Sequence, residues 1–133
     1  VEGEVQSIEF LEHKTFARRI RKFNKKYSGG DNGYRHLKKL LGIHFSDPIS
    51  PMFTKKVLRR VDRVGANIEV YKITMNVKGL SQGQCPRICF WYVGKMIIFL
   101  AFGTHIENYK DDQLKKLVKM RMLEMDSTVV LER

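Results

Sequence analysis

The chain has 133 residues, of which 25 are Lys or Arg and 14 Asp or Glu, for a formal net charge of +11. A hydrophobic fraction of 43% excludes a largely disordered chain, and the length suits one domain spanning 1–133 rather than two separately filled cores. The longest apolar run, Met96 to Phe102, is strand-sized, which excludes a membrane-spanning helix of ~20 residues.

Taken in chain order, Val5, Ile8 and Phe10 predict a short first strand. Phe16, Ile20, Phe23 and Tyr27 then recur at helical spacing. Around them stand Lys14, Arg18, Arg19, Arg21, Lys22, Lys25 and Lys26, a densely basic face. Ser28-Gly29-Gly30 predicts its end. Asp31 or Asn32 is expected to cap a second helix carrying Tyr34, Leu37, Leu40 and Leu41, closed by Gly42. Ser50-Pro51 reads as a further helix start, since serine caps free amides and proline in the first turn loses no needed donor. Phe53, Val57 and Val61 would share one face of this helix at about 50–64, with Lys55, Lys56, Arg59, Arg60 and Arg63 crowding the rest.

After Gly65 the period changes to two. Tyr71, Ile73, Met75 and Val77 alternate with Lys72, Thr74, Asn76 and Lys78, as in a half-buried strand. A polar stretch from Gly79 to Pro86 leads to Arg87 and the dense strand Ile88 to Val93. Gly94-Lys95 is a two-residue hairpin signal. Met96 to Phe102 returns as a third strand, apolar throughout, so both of its faces should be covered. Asp111-Asp112 suit the positive end of a last helix, with Leu114, Leu117, Val118 and Leu123 inward. The expected fold is α+β: an antiparallel sheet of the first strand and a three-stranded meander, with N-terminal helices and a C-terminal helix packed on it.

The positive balance draws the chain to polyanions, although solubility or an acidic partner would use the same charge. Cys85 and Cys89 are too few for a disulfide scaffold, and no second Cys or His pair completes a zinc set, so reduced thiols are expected. The opening residues show no signal-peptide pattern, which points to a cytoplasmic protein.

Lys72 lies on the polar side of its strand, Arg87 stands directly before six apolar residues, and His105 and Tyr109 follow the third strand four apart. An antiparallel meander can gather such positions at one end of a sheet. Cations stabilise charge developing on phosphate, and His or Tyr can move protons. With RNA, the attacking group can be the substrate's own 2′-hydroxyl. Each residue also has a plainer role: a solvated strand lysine, an arginine anchoring a strand end, a structural histidine, a tyrosine capping the core. Of Trp91 and Tyr92, which alternate across a dense strand, one is expected in the core. His13, His36 and His44 follow no pattern.

Lys72, the run Arg87-Ile88-Cys89-Phe90-Trp91-Tyr92, the hairpin at Gly94-Lys95, Ile97-Ile98-Phe99-Leu100 and Gly103-Thr104-His105-Ile106-Glu107-Asn108-Tyr109 together resemble the RelE/ParE toxin superfamily. The likeness covers Ile68 to Tyr109, about a third of the chain, and Ile106 stands where that family commonly has arginine. The resemblance implies a RelE-like or HigB-like mRNA interferase, the toxin of a type II toxin–antitoxin system. Such a protein is an endoribonuclease often acting in the ribosomal decoding site, needs neither a metal nor another cofactor, and is restrained by an antitoxin. It also implies that Lys72 and Arg87 hold the scissile phosphate, while His105 and Tyr109 transfer protons or position a base. The cations Arg18, Arg19, Arg21, Lys22, Lys25, Lys26, Lys55, Lys56, Arg59 and Arg60 would grip nucleic acid without reading bases. Two alternatives stay open: a ParE-like gyrase inhibitor that cleaves nothing, and a non-catalytic RNA- or DNA-binding domain.

Overall fold

The computed structural model describes residues 7–46, 52–64, 67–103 and 110–132, with side chains in the last segment described to residue 125. Its order is β1 (Glu9–Glu12), α1 (Lys14–Lys26), α2 (Gly30–Ser46), β2 (Arg59–Val64), β3 (Ile68–Thr74), β4 (Arg87–Val93), β5 (Met96–Gly103) and α3 (Asp111–Glu132). The strands form one five-stranded sheet in the order β1-β5-β4-β3-β2. β3, β4 and β5 are the expected antiparallel meander, and the fold is α+β.

The sheet differs from expectation at both edges. β1 pairs parallel to β5, from Glu9 opposite Met96 to Glu12 opposite Phe99. At the other edge, Arg59–Val64 is a strand antiparallel to β3, not part of a helix. The four-residue spacing of Phe53, Val57 and Val61 imitates a helical face, but the described residues before β2 form turns. Val57 and Leu58 both donate backbone N–H groups to the Thr54 carbonyl, at 3.1 and 3.0 Å, and the turn is not propagated. His44 Nδ1 accepts from the Met52 and Phe53 amides at 3.2 and 3.3 Å, tying this segment to the end of α2. A bulge between Arg60 and Asp62 leaves Val61 out of register, and Val61 and Val64 pack on the core of one sheet face. Charge and bulges suit an edge strand, because both discourage pairing with another chain.

Two cores cover the two sheet faces. On one, α1 and α2 place Phe16, Ile20, Phe23, Tyr34, Leu37 and Leu41 against Ile73, Ile88, Phe90, Ile97, Phe99 and Phe102. On the other, Leu114, Val118, Met122 and Met125 of α3 meet Val70, Cys89, Trp91, Ile98, Leu100 and Ala101. β5 is therefore covered from both sides, which explains its unbroken apolar run. Gly94, with φ +63, occupies the first turn position between Val93 and Met96, where a type II′ hairpin needs glycine.

Several local expectations fail for physical reasons. α2 starts at Gly30, so Asp31 lies within its first turn and pairs with Arg35 at 2.9 Å, rather than Asp31 or Asn32 capping from outside. Gly42 does not close α2, which continues to Ser46. The extra turn lets Phe45 stack on Tyr92 with ring centroids 4.0 Å apart. In α3, Leu123 is 72% exposed rather than inward, while Met122 and Met125 are buried against the sheet. Trp91 is core and Tyr92 half-buried. Cys85 and Cys89 are free, buried thiols in opposite cores, and burial pushes the Cys89 thiol up to about 12. Among the described residues, no helix is long and apolar enough to cross a membrane.

Candidate functional site

Cross-strand partners project to the same face of a sheet. Arg59, Lys72, Cys89 and Ala101 stand opposite one another in β2, β3, β4 and β5, forming a row across the sheet on the α3 side. Cys89 and Ala101 are roofed by α3. The row emerges beyond the helix start as Lys72 and Arg59, with Lys72 22% exposed at the side chain. Arg87, two residues before Cys89 and opposite Thr74, belongs to the same face. Together Lys56, Val57, Arg59, Lys72, Ile73, Thr74 and Arg87 line a cleft of about 250 Å³. Two expected site residues, Lys72 and Arg87, thus lie together, and Lys56 and Arg59 join them from the turn before β2 and from its first position.

Asp111, the first residue of α3, closes one side of this cluster. Its carboxylate accepts from both Nη atoms of Arg59, at 2.8 and 2.9 Å, and lies 3.8 Å from Lys72 Nζ. The Arg59 hydrogen bonds hold the Asp111 carboxyl below its ordinary value, with Lys72 and Lys115 pulling the same way. Burial pulls the Lys72 ammonium below its ordinary value, aided by the charges of Arg59 and Arg87 and opposed by Asp111. Arg87 donates through Nη1 to the Cys85 carbonyl at 3.2 Å, which steadies the guanidinium at the strand start.

The other expected nucleic-acid-binding residues divide by face. Arg18, Arg21, Lys22, Lys25 and Lys26 lie along α1, on the face of the sheet opposite the cleft. Arg19 donates to the Phe102 carbonyl at 3.3 Å and so brings α1 to the sheet end where Gly103 pairs with Arg87. Lys55 is exposed in the turn before β2. Arg60 binds Glu69 at 2.9 Å, beside the Tyr71 hydroxyl that also donates to Glu69, and does not join Arg59 at the cleft. A helical comb of Lys55, Lys56, Arg59 and Arg60 therefore does not exist. His105 and Tyr109 lie outside the described residues.

Sequence reasoning missed the carboxylate partner of the cations and the membership of Arg59 in the cleft. No local signal could reveal the first, because Arg59 and Asp111 meet across 52 positions of chain. Among the described residues, no group of three or more His, Cys, Asp or Glu side chains is placed to hold a metal ion. Comparison with protein-family models, with curated proteins and with solved structures found no match to this chain.

The arrangement can hold an anion with two or more oxygens. A guanidinium, an ammonium with weakened hold on its proton and a second guanidinium surround one polar hollow at the start of a helix. Fork-like arginines and a lysine point charge suit phosphate oxygens.

Proposed function

We propose that this chain is a type II toxin that cleaves mRNA without a metal, seating the scissile phosphate in the cleft beside Lys72 and Arg87. The observation that carries this reading is the convergence of Lys56, Arg59, Lys72 and Arg87 on one hollow of about 250 Å³. In the proposed reaction the substrate's 2′-oxygen forms a bond to phosphorus and the bond from phosphorus to the 5′-oxygen breaks. A 2′,3′-cyclic phosphate and a free 5′-hydroxyl result. Arg87 and Arg59 offset the charge that builds on the non-bridging oxygens. Lys72, whose proton is held less firmly than an ordinary lysine's, suits donation to the departing 5′-oxygen. His105 and Tyr109, which follow β5 in sequence, are proposed for accepting the 2′-hydroxyl proton and positioning a base. The cations of α1 would hold flanking RNA or ribosomal RNA through its phosphates. An antitoxin acidic toward this basic surface is the proposed protein partner, and exposed Met120 and Leu123 on α3 are apolar anchors open to it.

Purified protein is incubated with mRNA in the presence and absence of ribosomes, and the new 5′ ends are mapped. Arg87→Ala should cut at least ~10²-fold more slowly, as expected for loss of one donor to an oxyanion. A folded Arg87→Ala variant that cleaves normally would overturn the assignment of that residue. Failure of the wild type to cut under both conditions would remove the nuclease reading. Inhibition of gyrase supercoiling in the same preparations would then favour the ParE-like alternative, and salt-sensitive binding alone the non-catalytic one.

A further inference from the structure

We infer that the Asp111 carboxylate, beside the hollow, is a built-in competitor for the cations of the phosphate seat, which incoming phosphodiesters must displace from Arg59 and Lys72. The inference rests on the proposal that the cleft takes phosphate, and it assigns the control of that site to one residue. A carboxylate that accepts from two Nη atoms presents to Arg59 the same pair of oxygens that a phosphate would, at 2.8 and 2.9 Å. Its second partner, Lys72 at 3.8 Å, is a cation assigned to the scissile phosphate. Asp111 thus engages two of the four cations that line the hollow, whereas the Arg87 hydrogen bond goes to a backbone carbonyl.

The pair is built to exchange. The Arg59 and Asp111 side chains are 44% and 42% exposed, so water screens their attraction and can solvate the carboxylate once it is released. Asp111 is not the sole anchor of α3, because Leu114 and Val118 supply buried packing against the sheet. Asp112 remains in the first turn to complement the helix dipole. Asp111 therefore lowers the resting affinity of the cleft and favours ligands carrying enough phosphate charge to replace it.

The probe is a single-stranded RNA oligonucleotide with 2′-O-methyl groups, which binds but lacks the attacking hydroxyl. Asp111→Asn should tighten its binding roughly five-fold, about the weight of one unit charge ~4 Å away in water. The log–log dependence of affinity on salt should steepen by about 0.7, one additional phosphate bound on a single strand. Asp111→Ser, which keeps a residue suited to a helix start, should do the same, and far-ultraviolet circular dichroism verifies that both variants fold. In an Arg59→Ala background the gain should shrink, because only the weaker interaction with Lys72 is left to release. Unchanged or weaker binding by both folded variants, with an unchanged salt slope, would make Asp111 a strap for Arg59 and overturn the inference. A wild type that cleaves RNA together with this negative result would sink the inference alone. Tighter binding by the variants of a protein that never cleaves would sink the nuclease reading and leave the inference standing.

Discussion

Lys72 holds a charge where the fold makes charge costly. Burial and two neighbouring guanidinium groups lower its hold on a proton relative to the ordinary lysine value of 10.5, and Asp111 restores only part of it. Between its folded value and that of the unfolded chain, the unfolded state binds more protons, so this residue makes stability rise with pH. The proposed phosphate binding needs the ammonium, so affinity should fall over the same window. The buried Cys89 thiol acts the other way, because its raised value makes stability fall as pH climbs past the ordinary thiol value. The lysine's share is therefore read against Lys72→Met: below about pH 10 the wild-type urea midpoint should rise relative to the variant's, while wild-type affinity for oligonucleotide falls relative to it. At neutral pH Lys72→Met should weaken binding about ten-fold, the weight of a charge-assisted hydrogen bond, while leaving stability equal or higher. Parallel trends would contradict this account. Gly33 is constrained in a different way. A Cβ there would lie 2.6 Å from the Asn76 carbonyl oxygen, a backbone atom that cannot swing aside. Gly33→Ala would gain up to ~1 kcal/mol in helix propensity, yet overpacking of this kind costs about 1–3 kcal/mol, so a net loss is expected in urea denaturation.

The meander was legible because its residues speak one language. Tyr71, Ile73 and the dense runs of β4 and β5 carry a period of two or an unbroken apolar face, and Gly94 marks the tight turn between β4 and β5. β2 was not legible. Arg59, Arg60, Asp62 and Arg63 have little β propensity, and the bulge at Val61 erases the alternation that would identify a strand. Half of the cleft was hidden with it: Lys72 and Arg87 could be picked out, whereas Arg59 looked like one tooth of a basic helix. α3 was placed correctly but rotated wrongly at its far end, since Leu114, Leu117 and Val118 set a face that Met122 and Met125 continue and Leu123 does not. This face makes a paired prediction. Leu114→Ala, at a residue 2% exposed, should cost about 2–5 kcal/mol in urea unfolding. Leu123→Ala, at 72% exposure, should stay within about 0.5 kcal/mol, and equal losses would mean that α3 packs by another face.

Across the whole molecule, positive charge gathers on two surfaces separated by the sheet, the α1 face and the cleft beside α3. Arg19 and the pairing of Arg87 with Gly103 bring these surfaces to the same sheet end, so one RNA strand could pass over that end and touch both. Neutralising Arg18, Arg21, Lys22 and Lys25 together should flatten the salt dependence of RNA binding by about 0.7 for each phosphate released, with the proposed cleavage of bound RNA left intact. A salt slope that does not change would reduce α1 to a solvated face. The parallel pairing of β1 with β5 has a consequence for synthesis. Residues at the beginning of the described chain find their sheet partners only after Met96 to Phe99 have been made. Such distant pairing pays loop-closure entropy before any pairing energy is gained, which slows folding. A nascent chain leaving the ribosome with β1 and α1 exposed therefore carries its basic helix long before it carries a finished sheet, and the order of translation itself delays the appearance of an assembled cleft.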